Sequence, residues 1–342
     1  MTRETGFTMR KTLLSLALLL VLACNLPTVS PTPLVPPNPQ NNPSPTPVTV
    51  PATETVAPLE IVPVPMIVVQ MDGVSYQVYQ MPGDPFRFLC QEPCKGDPNI
   101  VHAQYAGFRS ARERLIQLMG VDTLPELQPV DIHLSDDVRC GTLAEAGALS
   151  FANRIPNANA YVCTFIFEYA QASYTPEDAT RLDQQLIFIH EYLHTVFFGR
   201  VPGAVEAMHD LVTPLAEYVA YDMKTDEELC AYFPGRNPGD FNGSLLKNLC
   251  AQNGFRVAHV ASLMTELDRL IQSGAGQLQE EGYQHPVPSM LQFRDILNRV
   301  LGSDTTQAFA DACWPPEYFG NSYNLPPACL VTPTVITPTP VR

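Results

Sequence analysis

Two apolar-rich runs, residues 67–71 and 74–81, flank Asp72-Gly73, and an Asp-Gly pair between strand-like runs predicts a β-hairpin. Residues 108–119 carry apolar side chains at helical spacing and meet a stop signal at Gly120. Residues 130–134 and 160–167 alternate as strands do. The longest helical pattern follows. Thr175 is a natural N-cap, Pro176 suits the first helical position, and Asp178 stands where a capping box needs an acceptor. From there a single helix is predicted over 176–198, about 35 Å long at 1.5 Å per residue, with Gly199 closing it. Further helical patterns occupy 204–211, a restart at Thr213-Pro214 that runs through Met223, then 255–272, 289–301 and 304–312. There is no internal repeat. Strands with a helix or two first, then helices alone, predict an α+β fold.

Composition changes the picture at both ends. The chain has 342 residues and 34 prolines, of which 13 fall between residues 25 and 65, a stretch without aromatic residues and with only Glu54 and Glu60 charged. Such a segment cannot bury enough apolar surface to offset its ordering entropy, so 24–65 is expected to be an extended tether. Residues 326–342 return to the same Pro/Thr composition and are expected to be a tail, leaving 66–325 as the folded domain. The net charge of −15 argues against nucleic acid as a partner, because phosphate binding needs clustered Lys and Arg.

The first residues read as an address. Arg10-Lys11 precedes an apolar run of about a dozen residues and then Cys24, the layout of an export signal over 1–23. Val21-Leu22-Ala23-Cys24 resembles the lipobox of bacterial lipoproteins. That resemblance implies that Cys24 becomes the lipid-bearing first residue of the mature chain, on the outer face of a bacterial membrane (cell surface or periplasm). An ordinary signal peptide with an incidental cysteine is the alternative. As polyproline, the tether could hold a domain on the order of 100 Å from its anchor. Besides Cys24 there are eight cysteines, an even number that suits disulfides in an exported chain. The simplest pairing joins neighbours, 90–94, 140–163, 230–250 and 313–329. A cysteine metal site competes, but no CxxC pair occurs.

The chemistry concentrates in His190-Glu191-Tyr192-Leu193-His194, an HExxH motif. Two histidines at i and i+4 on a helix face the same way and can share one cation. Zinc suits two neutral imidazoles plus a carboxylate with one position left open. Glu191, one residue on, can reach a water there and take its proton as general base. The flanks, 186–189 and 196–198, are apolar, and burying two imidazoles and a carboxylate beside them is unfavourable unless something compensates the polar groups.

On these residues the chain resembles the zincin metallopeptidases, and the specific likeness covers roughly 175–222. The resemblance implies a mixed sheet over the motif helix, an edge strand lining the substrate cleft, and a helical lower part that supplies the third metal ligand. The metzincin form would need Gly at 197 and His at 200, where this chain has Phe197 and Arg200. The gluzincin form takes a glutamate from a following helix, and Glu217-Tyr-Val-Ala220 looks like it, 23 residues after His194. Glu206, His209 and Asp210 are rivals for that place. A gluzincin often has Asp four residues after its glutamate to orient a motif histidine, but here Tyr221 stands there and Asp222 comes one later. Tyr283, His285, Tyr318 and Tyr323 are candidates for an oxyanion donor, with ordinary packing as the competing role. Tyr192 and Tyr218 are expected to pack in the core. The expected activity is zinc-dependent hydrolysis of a protein or peptide substrate. The alternative is a binding or scaffold lipoprotein that keeps a zincin fold without turnover.

Overall fold

A computed structural model describes residues 60–134, 140, 148–151, 160–164, 175–203, 211–231, 244–279 and 285–329. Residues from Ile61 onward form one unit. Its described strands are β1 (Met66–Met71), β2 (Val74–Tyr79), β3 (Phe86–Gln91), β4 (Val130–Leu134), β5 (Ala148–Phe151) and β6 (Tyr161–Thr164). They make one six-stranded sheet in the order β1-β2-β3-β4-β6-β5. β1, β2 and β3 pair antiparallel, β3–β4 and β4–β6 pair parallel, and β5 runs antiparallel to β6 at the edge. The sheet is therefore mixed and the fold α+β.

The hairpin forms where Asp72-Gly73 predicts it. Asp72 and Gly73 have φ of 53° and 80°, the left-handed pair that matches the twist of two antiparallel strands. The parallel β3–β4 step needs a crossover, and α1 (Pro98–Met119) supplies it. This helix starts ten residues before the stretch whose periodicity announces it. Asp97 caps it by accepting from the Asn99 N–H at 2.9 Å, and Pro98 takes the first position. Gly120, φ 73°, ends it as expected. β3 and α1 face each other through aromatic rings, Phe86–Phe108 at 4.7 Å and Phe88–Tyr105 at 5.2 Å between centroids.

The single helix expected over 176–198 is instead broken. α2 (Pro176–Ala179) has the predicted capping box between Thr175 and Asp178. Arg181 is then extended, a 3-10 turn covers Leu182–Gln185, and α3 (Leu186–Phe197) carries the motif. The break lies where the chain crosses α1. A Cβ at Gly107 would come within 2.9 Å of the Ala179 carbonyl oxygen, so the two backbones nearly touch. That carbonyl, released from the helical ladder, accepts from the buried Gln185 side-chain amide.

The remaining helices are α4 (Val212–Ala220), α5 (Asp226–Ala231), α6 (Ser244–Asn253), α7 (Ala258–Gln272), α8 (Met290–Leu301) and α9 (Thr306–Asp311). α7, α8 and α9 fall within the expected segments, and Ser289 caps α8 with a full capping box. β3, β5, α5 and α6 have no counterpart among the elements read from the sequence pattern. The strand expected over 160–167 is described only as Tyr161–Thr164, and the helix expected over 204–211 lies outside the described residues apart from Leu211.

Four disulfides join Cys90–Cys94, Cys140–Cys163, Cys230–Cys250 and Cys313–Cys329, the neighbour pairing. Among the described residues no helix is long and apolar enough to cross a membrane.

Candidate active site

The motif helix α3 is the middle of the core. It packs on β5 and β6 on the sheet side, on α1 behind, and on α4 below. Phe188, Ile189, Leu193, Val196 and Phe197 are all buried, so the helix owes its place to apolar contact on most of its circumference. Against that background Glu191 is only 7% exposed and His194 only 5%, while His190 is half-buried.

The two histidines converge. His190 Nε2 and His194 Nε2 stand 3.2 Å apart, with the rings steeply inclined to one another. Two nitrogens that each bind one tetrahedral zinc at 2.0–2.1 Å must lie about 3.3 Å from each other. The span therefore fits a shared zinc, and Nε2 on both rings is the donor type that zinc takes. Among the described residues no third protein ligand is grouped with them, since no set of three His, Cys, Asp or Glu stands close enough to hold a metal ion. Glu217 lies half-buried on α4, the helix packed directly against α3. Glu206, His209 and Asp210 lie outside the described residues.

A helix starting at Thr213-Pro214, as the sequence pattern predicts, would put Glu217 in its first turn, where helix polarity favours a carboxylate, and this expectation needs correcting. α4 begins at Val212, with Leu211 at the N-cap and no side-chain cap, so Thr213 and Pro214 sit inside its first turn. Pro214 is tolerated there because the first N–H groups have no intrahelical partner. Glu217 falls in the second turn, and helix polarity gives its carboxylate little help. The helix also ends at Ala220, before Met223.

Asp222 does not orient a motif histidine. It has φ 52° just past α4 and is engaged by Arg114 and by Lys224 Nζ at 2.6 Å. Of the oxyanion candidates, His285 donates from Nε2 to the Gly199 carbonyl at 2.9 Å, Tyr323 donates to the Trp314 carbonyl at 2.8 Å, and Tyr318 is a largely exposed neighbour of the Trp314 ring. Tyr283 lies outside the described residues. Tyr192 and Tyr218 are buried as expected, Tyr218 beneath the Arg114 guanidinium.

The sequence points to Tyr192 only as a core residue and to Arg200 only as the absence of a metzincin histidine, and it does not reveal the polar contacts by which they grip this helix. Tyr192 donates to Asp122 Oδ1 at 2.7 Å and accepts from Arg112 Nε at 3.0 Å, and Arg112 also pairs with the other Asp122 oxygen. Burial first, and then the Asp122 carboxylate, push the Tyr192 phenol well above its ordinary pKa, so the hydroxyl stays a donor. Arg200, only 4% exposed, donates to the carbonyls of Val196 at 2.7 Å and Asp122 at 2.6 Å and to Asp268 Oδ1 at 2.7 Å. The Val196 carbonyl is one of the orphans at the end of α3, where a cation is favoured. An arginine directly after a helix-stopping glycine is the signal that could have found it.

Comparison with protein-family models, with curated proteins and with solved structures gave no match.

Proposed function

We propose that this chain is an exported, lipid-anchored, zinc-dependent hydrolase, a gluzincin-like peptidase. The observation that carries the reading is the 3.2 Å span between His190 Nε2 and His194 Nε2, the spacing that one shared zinc requires. His190 and His194 would hold the metal with Glu217 as third ligand, a choice supported by the direct packing of α4 on α3. A bound zinc supplies Lewis acidity that polarises a carbonyl and acidifies a water. Glu191, buried one position from His190, receives the proton of the attacking water and delivers it to the leaving amine. The position of β5 supports a zincin-like arrangement. Among the described residues it is the edge strand of the sheet, antiparallel to its neighbour, and the motif helix packs against it; a sheet edge can take an extended peptide as one more strand. The four disulfides support an oxidising, extracytoplasmic setting, in which Cys24 carries the lipid and the Pro/Thr stretch between it and the folded unit at Ile61 is the tether.

The test uses the purified mature chain. It should carry one zinc and cleave an unstructured protein such as casein. Glu191→Gln should keep the zinc and lose about 10²- to 10⁴-fold in rate, the usual effect of removing a general base. Zinc without cleavage would favour the scaffold reading, and full activity in the zinc-loaded Gln variant would remove Glu191 from the mechanism.

A further inference from the structure

Apolar packing holds α3 in the core and sets its rotation coarsely, whereas hydrogen bonds, being directional, can fix that rotation more finely. Rotation matters here. A ligand nitrogen lies roughly 6 Å from the axis, so a turn of 10° moves it by about 1 Å. His190 and His194 would move together and keep their mutual span. Their distance to any ligand on another element would change. At that precision, directional contacts matter.

Tyr192 is two residues from each histidine and therefore about 200° round the helix from His190, on the back of the motif. Its hydroxyl is bonded at 2.7 Å to Asp122 Oδ1 and at 3.0 Å to Arg112 Nε. Asp122 sits in the loop just after α1, and its backbone carbonyl takes Arg200 at 2.6 Å. Arg200 in turn donates to the Val196 carbonyl at the end of α3. One residue thus holds the helix at two points, by side chain at Tyr192 and by backbone, through Arg200, at its C-terminus. Thr123, the next residue, adds a hydroxyl 3.5 Å from that of Thr195.

We propose that Asp122 is a positioning residue for the metal centre, fixing through the Tyr192 hydroxyl and Arg200 the rotation at which the motif histidines meet their third ligand. The inference rests on the reading of His190 and His194 as metal ligands. It does not depend on which residue is the third ligand, provided that this ligand comes from outside α3.

The test is Tyr192→Phe, which removes one hydroxyl and leaves the packing volume, together with Asp122→Ala and the double variant. Zinc affinity is measured by chelator competition well below the unfolding temperature, and the electronic spectrum is recorded on cobalt-substituted protein. Tyr192→Phe should weaken zinc about 10- to 100-fold, as loss of an outer partner of a metal site typically does. Its cobalt spectrum should shift, and the double variant should be no weaker than Asp122→Ala alone. If wild type takes up neither metal, the proposed function and this inference fail together. Zinc uptake by wild type, with an unchanged affinity and cobalt spectrum in Tyr192→Phe, would overturn this inference alone, even if the variant melts earlier. Tyr192→Phe decides the matter by itself should Asp122→Ala not fold.

Discussion

Replacing Arg200 by Met should unfold the motif helix from its surroundings far more readily than an arginine-to-methionine change at the surface would. The side chain is 4% exposed and makes three charge-assisted bonds, to two backbone carbonyls and to the Asp268 carboxylate. Methionine fills most of the volume but donates to none of them. The Val196 carbonyl then closes a buried helix end without its donor, and Asp268, whose side chain is 22% exposed, recovers only part of its solvation. Hydrogen bonds to charged groups contribute about 1.5–3 kcal/mol each and do not simply add, and breaking a buried pair costs about 3–5 kcal/mol. A loss of about 4 kcal/mol is therefore expected.

For a domain of this size that corresponds to a fall of roughly 8–16 °C in Tm, or more than ~1 M in the urea midpoint at a slope near 3 kcal/mol/M. Urea unfolding followed by circular dichroism is the assay, with the slope compared so that a change in cooperativity is not mistaken for stability. Arg200→Lys keeps the charge, but a single ammonium cannot span acceptors that a planar guanidinium serves from two nitrogens. It should recover less than half of the loss. A change below about 1 kcal/mol in Arg200→Met, at constant slope, would refute the argument, since a surface ion pair alone accounts for that much.

Stability should also fall on mild acidification through His102. Its Nδ1 accepts the Val64 N–H at 3.2 Å, and burial, opposed by Asp97, lowers its pKa below 6.5, so the fold prefers the neutral ring. The contribution is whole above pH 6.5 and is lost as pH drops through 6.5 toward the lowered folded value. A urea midpoint no more acid-sensitive in wild type than in His102→Asn between pH 7.5 and 5 would contradict this. The eight paired cysteines should leave almost no thiol to titrate in the denatured, unreduced mature domain, and closing the Cys230–Cys250 loop of about 20 residues should contribute roughly 3 kcal/mol. Several free thiols per chain would contradict the pairing. Cys24→Ala should move the protein from the detergent to the aqueous phase, and equal partitioning of both forms would mean that the anchor is not at Cys24.

What could be read from the sequence, and what could not, divides along the range of the interactions. The hairpin was legible because Asp72-Gly73 determines its turn within two residues. The cap at Thr175 was legible for the same reason, and so was the stop at Gly120. The break between α2 and α3 was not. Apolar spacing runs on through 182–185, and the cause of the break lies in α1, where Gly107 lets the Ala179 carbonyl approach. β3 escaped notice because Phe86-Arg87-Phe88 is followed by two apolar residues, Leu89-Cys90, so the sequence FRFLCQ loses the alternation that VDIHL keeps along all of β4.

The candidate site divides in the same way. His190 and His194 converge because one helical turn separates them, so the helix alone puts them on one face within reach of each other, and their rotamers close the span to 3.2 Å. The proposed role of Glu217 as third ligand depends on how a second helix docks and at what angle α3 is held, and no local pattern encodes either. Helix polarity argued for Glu217 only so long as α4 was taken to start at Thr213-Pro214. Its start at Val212 puts Glu217 in the second turn and removes that argument, leaving the packing of α4 on α3 as the support. Rotation of α3 is governed by Tyr192, Asp122 and Arg200, residues up to 78 positions apart in the chain. The sequence reading used Arg200 only as the residue that denies the chain a metzincin histidine. In the folded protein the same side chain closes the C-terminus of the motif helix, and the two observations are connected. A position occupied by a buried cation tied to two carbonyls and a carboxylate is closed to a cationic metal, so under the proposed function position 200 cannot be the third ligand and Glu217, on the neighbouring helix, remains the choice.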